Sequence, residues 1–200
     1  ETALGVLPGG STNVFARTIG LPNDPVAAVD VLAAGIDAGD FRPIGLGVVN
    51  GRLFCFQTGI GFDAAFVSAV ERRASLKRWL GHPLFISAGL TTWLRGYDRS
   101  EPHFRVTTGA GTVDGYFSIV LNTNPYTYLG NRPLDLSHAA TLDRGLVAVT
   151  FRTMRASAIL RSLLGALRGG GVEPNEHLDE QFDLDHLVID ADRPFPYQVD

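Results

Sequence analysis

Apolar and polar positions along the chain follow two regimes, and the change falls near residue 39. Ala3 to Leu7 is a short apolar run ending at Pro8-Gly9-Gly10, a pattern that predicts a buried strand entering a tight turn. Ser11 or Thr12 stands where it can cap a helix running through Asn13-Val14-Phe15-Ala16-Arg17. Leu21-Pro22-Asn23-Asp24-Pro25 breaks that helix. Asp24 then caps a second one with Pro25 at its first position, and Val26, Val29, Leu32, Ala33 and Ile36 recur at helical spacing. Residues 1–39 therefore predict strand, turn, helix and helix, a piece of an α/β unit.

From Phe41 onward short β-rich runs alternate with Gly, Pro and Asn turns. They are Ile44–Val49, Leu53–Thr58, His103–Thr108, Tyr116–Asn122, Leu146–Phe151, Leu187–Ile189 and Phe195–Val199. Asn50-Gly51 between the first two is the strongest hairpin signal in the chain. Such spacing favours a β-sandwich or barrel. Three helices are expected to interrupt it: Ala64–Arg73, His82–Gly96 and Met154–Arg168. The predicted fold class is α+β, with a division into residues 1–39 and 40–200. His177, Asp179, Glu180, Asp183 and His186 lack tight metal-ligand spacing and are expected to form a solvated acidic loop.

Composition narrows the function. With 45% hydrophobic and 19% charged residues the chain can bury a core and is not disordered. A formal net charge of −4 argues against nucleic acid as a partner, and any attraction to anionic membranes has to come from local patches. Cys55 is the single cysteine and lies in an apolar run, so a disulfide framework is excluded and a buried, inert thiol is expected. No apolar stretch reaches the roughly 18–20 residues that span a bilayer, and no secretory leader opens the sequence. The chain lacks an initiator Met and stops at Asp200 after a strand-like run, so both ends are read as cut.

Pro8-Gly9-Gly10-Ser11-Thr12-Asn13 speaks most directly to chemistry. Two glycines between a strand and a helix let the backbone approach a ligand, and a helix start favours an anion. An ordinary capped turn fits the same spacing. Identity adds more: Pro8 to Arg17 resembles the P-x-G-T-x-N-D-F-A-R segment of the diacylglycerol kinase catalytic family, which includes bacterial lipid kinases and sphingosine kinases. Ser11 stands at the family's ATP-contacting Thr, Asn13 matches its Asn, and Phe15-Ala16-Arg17 match in full. Val14 replaces an Asp that belongs, in the family, to an acidic network reaching the magnesium.

The resemblance continues in order along the chain. Asp40 matches the family's Asp at the domain crossover, a second member of that network. Phe56 to Ala64 is similar to a strand-to-helix segment with a G-x-G-x-D-A pattern, in which Asp63 is as readily a helix cap as a ligand. Leu142-Asp143-Arg144-Gly145 resembles a loop L-D-D-G that holds a structural magnesium in several bacterial members. Arg144 cannot coordinate a cation, so that site is expected to be missing. Asp200 stands first in a D-G-E motif whose acids serve the lipid hydroxyl. By comparison with the family, a Gly-Gly-Asp-Gly-Thr phosphate loop is expected upstream of Glu1. Gly109-Ala110-Gly111-Thr112 lacks its Asp and is read as a hairpin turn.

What the resemblance implies is a remnant of an NAD-kinase-like nucleotide-binding domain followed by a β-sandwich-like domain with inserted helices. It implies an ATP- and Mg²⁺-dependent kinase of a lipid hydroxyl, cytoplasmic and peripheral at the membrane, the fragment alone being inactive. Gly9, Gly10, Ser11, Thr12, Asn13 and Asp40 are then nucleotide-site residues and Asp200 is catalytic, with both groups meeting in one cleft. A homodimer is left open. Arg72 to Leu80 combines four cations with Trp79 and fits either a membrane-interface segment or a solvated helix end. Arg155, Arg161 and Arg168 offer a second such face. The rival reading is a non-catalytic phosphate- or lipid-binding module on a kinase-like scaffold, favoured by Val14 and Arg144.

Overall fold

The computed structural model describes residues 2–10, 12–62 and 100–200. Its centre is an antiparallel sheet of five strands. Across the sheet they run β10 (Leu178–Leu184), β9 (Leu146–Phe151), β6 (Phe117–Leu121), β3 (Gln57–Gly61) and β12 (Tyr197–Val199). The predicted helices Ala64–Arg73 and His82–Gly96, and the segment Arg72 to Leu80, lie outside the described residues.

Every residue of β6 is buried, because both faces of the sheet are covered. Phe117, Ile119 and Leu121 point into one apolar cluster with Val147, Val149, Phe151 and Leu178. Val120 points the other way, into a second cluster with Ile60, Ala148, Phe104 and Val106. Leu121, Val147 and Val149 are 0% exposed, and burying such a side chain stabilises by about 1.5–3 kcal/mol. Ser118 survives in this core because its hydroxyl meets the Val149 carbonyl at 3.2 Å and the Thr150 hydroxyl at 3.0 Å.

Phe104 and Val106 belong to a second sheet, ordered β11 (Val188–Asp190), β4 (Phe104–Thr108) and β5 (Gly111–Gly115). The two sheets face each other across the second cluster, which is the expected sandwich. On the opposite face of the central sheet lies a helix, Ala156–Leu167, the third described helix and here α3. It presents Ala166, Ile159 and Leu167 to the first cluster.

Two short helices precede the sheets: α1 (Val14–Thr18) and α2 (Pro25–Ala38). Asp24 caps α2 as expected, its carboxylate accepting from the Ala27 N–H at 2.8 Å, and Gly39 ends it in the left-handed region. The Asn50-Gly51 hairpin also forms. It joins β1 (Gly47–Val49) to β2 (Arg52–Phe54), and both turn residues have positive φ, 47° and 79°. Gly47 lies opposite Phe54, whose ring fills the space where a Cβ would stand.

Several expectations need correcting. Ala3–Leu7 forms no strand; Leu4 and Leu7 are exposed and pair with no described strand. The apolar stripe of α2 faces outward too, with Val26, Val29 and Ile36 exposed and Ala28 the buried residue. Helical spacing tells which residues share a face, not whether a partner covers it. The acidic segment near residue 180 is β10, paired along β9 with a bulge at Gln181/Leu184. Its polar composition hid a strand whose side chains are mostly half-buried, with Leu178 in the core and Phe182 and Asp183 exposed. The predicted run Leu53–Thr58 is two strands parted at Cys55-Phe56, for a reason given below. Gly109-Ala110 is the expected hairpin turn, but β5 was not read from the sequence, nor were β7 (Thr127–Leu129) and β8 (Arg132–Leu134).

Candidate functional site

The turn before α1 is built around Asn13. Its backbone is left-handed (φ 48°, ψ 44°), a region that Asn tolerates better than most residues. Its Oδ1 accepts from the Gly10 N–H at 2.7 Å, and its Nδ2 donates to Asn23 Oδ1 at 2.7 Å. Asn13, not Ser11 or Thr12, therefore occupies the N-cap, and its side chain closes the turn instead of capping the helix. Gly9 and Gly10 are exposed, and a Cβ built on Gly9 meets nothing within 4 Å. Thr12 is half-buried, and Ser11 lies outside the described residues.

The turn is held against the sheets through α1. Val14, Phe15 and Ala16 are buried. The Arg17 guanidinium stacks 3.4 Å above the Tyr128 ring centroid and donates to the Gly130 carbonyl at 3.1 Å. A cation on an aromatic face contributes about 0.5–2 kcal/mol. Arg17 thereby ties the Gly9–Asn13 turn to the β7–β8 hairpin.

A second constellation gathers at Asp200. Its Oδ2 accepts from the Cys55 N–H at 2.9 Å and the Phe56 N–H at 3.2 Å, and its Oδ1 from the Gln57 N–H at 3.2 Å. Three successive amides thus converge on one carboxylate, a small backbone nest. This is why the apolar run breaks at Cys55-Phe56: those amides turn toward Asp200 instead of continuing a ladder. Asn122, 2% exposed, braces the nest from within. Its Nδ2 donates to the Cys55 carbonyl at 2.8 Å and to the Gly45 carbonyl at 2.9 Å. Beside it, Gln57 Oε1 is buried without a hydrogen-bond partner among the described residues. Burial, and secondarily the Asp200 charge, push the Cys55 thiol up, as suits an inert cysteine.

The other sequence-derived residues stand apart. Asp40 is exposed just past the end of α2, with Arg42 Nε 3.8 Å away, a loose surface pair. Asp63 lies outside the described residues. In the loop Leu142–Gly145, Asp143 and Arg144 are exposed, while Gly145 donates its N–H to Asp183 Oδ1 at 3.1 Å. A Cβ on Gly145 would come within 2.7 Å of the Asp183–Leu184 backbone, so this glycine is required by close packing. The Gly9–Asn13 turn and Asp200 anchor on different elements, the β7–β8 hairpin and the β2–β3 junction respectively. Asn122 and the amide nest were missed from the sequence. Backbone donors leave no residue signature, and an Asn after an apolar run reads only as a turn.

Comparison with known proteins gives this geometry a context. Residues 1–47 match the family described as diacylglycerol kinase catalytic domain. The chain is 37% identical over 91 residues to a probable lipid kinase YegS-like of Pseudomonas aeruginosa (strain UCBPP-PA14), an alignment covering 46% of this chain and 28% of that protein. It is 42% identical over 88 residues to a diacylglycerol kinase of Bacillus subtilis (strain 168), covering 44% of this chain and 27% of that one. In fold it is similar to a crystal structure of a diacylglycerol kinase from Bacillus anthracis str. Sterne, with a TM-score of 0.61 and 21% identity. That superposition covers 96% of this chain and 59% of the other. The resemblance read from Pro8–Arg17 to the diacylglycerol kinase catalytic-domain family holds.

Proposed function

We propose that this chain, a relative of the diacylglycerol kinase catalytic domain, is part of an ATP-dependent kinase that transfers the γ-phosphoryl group to a lipid hydroxyl. The observation that carries the reading is the Gly10–Asn13–Asn23 hydrogen-bonded turn, lying within the residues that match the family. Residues 1–39 are taken as the end of the nucleotide-binding domain and 40–200 as the lipid-kinase β-domain.

The turn fits a nucleotide phosphate or ribose. Gly9 and Gly10 face solvent, with open space beside Gly9, and Asn13 holds them in shape without spending its side chain on the ligand. ATP supplies the phosphoryl group. Phosphoryl transfer is mostly positioning and charge neutralisation, so a stiff turn is what the reaction asks of this segment. For Mg²⁺ the fit is poorer: among the described residues no three His, Cys, Asp or Glu gather to hold an ion. Among the described residues Asp40 has Arg42 beside it and no second carboxylate with which to hold an ion.

At the acceptor end, Asp200 offers a carboxylate fixed by three amides. A carboxylate has about four acceptor positions, which leaves one for a lipid hydroxyl. In this reading Asp200 orients that hydroxyl for attack. The second reading, a non-catalytic phosphate- or lipid-binding module, is favoured by Val14. Where the family carries an acid, this side chain is 6% exposed and packed inward.

The test is lipid phosphorylation by the full-length protein with labelled ATP and a panel of diacylglycerol, sphingoid and glycerophospholipid acceptors. Transfer that collapses in Asn13→Ala supports the kinase. Lipid binding without transfer to any acceptor moves the assignment to the module.

A further inference from the structure

One stretch of this acidic chain is strongly basic. Residues 144–172 contain Arg144, Arg152, Arg155, Arg161 and Arg168 and not one Asp or Glu, within a chain of net charge −4. Among the described residues, Arg152, Arg155, Arg161 and Arg168 are exposed and make no ion pair, whereas Arg105 pairs with Asp190 at 3.1 Å and Arg42 lies near Asp40. These arginines surround α3, whose own sequence carries no acid.

The same helix shows apolar side chains to solvent. Leu160 is 54% exposed, Leu163 39% and Leu164 41%, although Ala166, Ile159 and Leu167 already satisfy the core. Helical spacing sets Leu160 and Leu164 one above the other, with Leu163 beside them and Arg161 and Arg168 along one flank. Glu173 and Glu176 lie on the loop after the helix, where Asn175 and His177 line a small cleft with Arg161, and Glu176 pairs with His177 at 3.4 Å instead of with an arginine. An outward strip of leucines edged by unpaired arginines suits neither plain solvation nor the core. It suits an interface where acyl chains lie below anionic headgroups: the leucines enter the apolar boundary and the guanidiniums meet phosphates.

We infer that the outer face of α3, through Leu160, Leu163 and Leu164 with Arg161 and Arg168, docks the protein on an anionic lipid bilayer. The choice of a bilayer rests on the lipid-hydroxyl reading above, but docking is measured without turnover. Charge selects the partner: a neutral membrane offers the arginines no counter-charge, and an acidic one does. Salt screening follows, since exposed charges lose their attraction beyond a Debye length.

The experiment is vesicle co-sedimentation of the full-length protein, with phosphatidylcholine vesicles and with phosphatidylcholine–phosphatidylglycerol vesicles. The protein is expected to bind the anionic vesicles and to leave them at high salt. Arg161→Glu with Arg168→Glu should weaken that binding by about thirtyfold or more, and Leu160→Ser with Leu164→Ser by about tenfold. Thermal melting of both variants checks that the fold is kept. Each should phosphorylate lipid dispersed in detergent micelles as well as the parent does. Equal vesicle binding by parent and both variants overturns the docking face even if the kinase is active. Binding that is lost in the variants sustains the face even if no lipid is phosphorylated.

Discussion

Asp200 Oδ2 lies 2.9 Å from the Cys55 amide nitrogen, a bond that spans 145 positions of sequence. It fixes the last described strand, β12, to the β2–β3 junction, and with the Phe56 and Gln57 amides it sets the carboxylate in one orientation. The proposed acceptor group is therefore held by main chain, which cannot swing away as a side-chain partner can.

Replacing Asp200 separates its two roles. Asp200→Ala leaves three amides without their acceptor and should cost about 1–3 kcal/mol in urea unfolding. Asp200→Asn keeps one oxygen in the nest and should recover most of that stability. If Asp200 also takes up the hydroxyl proton as it orients the acceptor, lipid phosphorylation by the full-length protein should fall about a hundredfold in both variants, because neither a methyl group nor an amide is basic enough to do so. Full turnover in Asp200→Asn would reduce Asp200 to a structural tie.

Asn122 should matter as much as Asp200 without touching a ligand. Its buried amide holds the Gly45 and Cys55 carbonyls together, so Asn122→Ala abandons both bonds inside the core. The expected loss is about 2–4 kcal/mol, read from the midpoint of denaturation. Asn122→Asp should do no better, since a carboxylate cannot donate to carbonyls.

The contrast between these residues explains what the sequence could reveal. Asp24, Pro25 and Gly39 bounded α2 correctly because capping is local chemistry. Asn50-Gly51 gave its hairpin for the same reason, and Leu146–Phe151 was read to the residue as a strand. Asp179–Leu184 was misread because a strand at the sheet's margin can be polar. Asn13, Asp40 and Asp200 were singled out through motif identity, and neither spacing nor hydrophobicity marks them. The amide nest at Cys55–Gln57 was invisible, since any sequence can supply backbone N–H groups and only the tertiary fold aims them.

The Asn13 turn makes its own prediction. Asn13→Ala removes the bonds to Gly10 and Asn23 and places a residue less tolerant of positive φ there, for a loss of about 1–2 kcal/mol. Asn13→Asp keeps the acceptor for Gly10 but loses the donor to Asn23. In the full-length protein Asn13→Ala should raise the KM for ATP and lower kcat together, whereas Asn13→Asp should keep part of both.

Gly145 offers a test of the fold away from any proposed site. Its missing Cβ leaves room for the Asp183–Leu184 backbone, where Asp183 carries φ 59° at the β10 bulge. Gly145→Ala forces main chain against main chain and should destabilise by about 1–3 kcal/mol. Gly51→Ala, with open space at its Cβ but φ 79°, should cost about 1 kcal/mol through backbone strain alone.

Cys55 links the nest to a pH prediction. The half-buried thiol is pushed up first by desolvation and then by the Asp200 carboxylate, so the fold favours its protonated form. An acid whose pKa is raised on folding binds its proton more tightly in the native state. Its contribution is therefore level at neutral pH, and stability falls as pH rises through the ordinary thiol range, where only the unfolded chain ionises. The thiolate is the reactive form, so iodoacetamide should label native Cys55 several-fold more slowly than the urea-unfolded chain at mildly alkaline pH. Asp200→Asn removes the neighbouring charge and should speed native labelling, which mass spectrometry resolves directly. Labelling that is as fast in the native parent as in urea would mean the thiol is neither shielded nor opposed by Asp200, and the nest geometry would have to be redrawn.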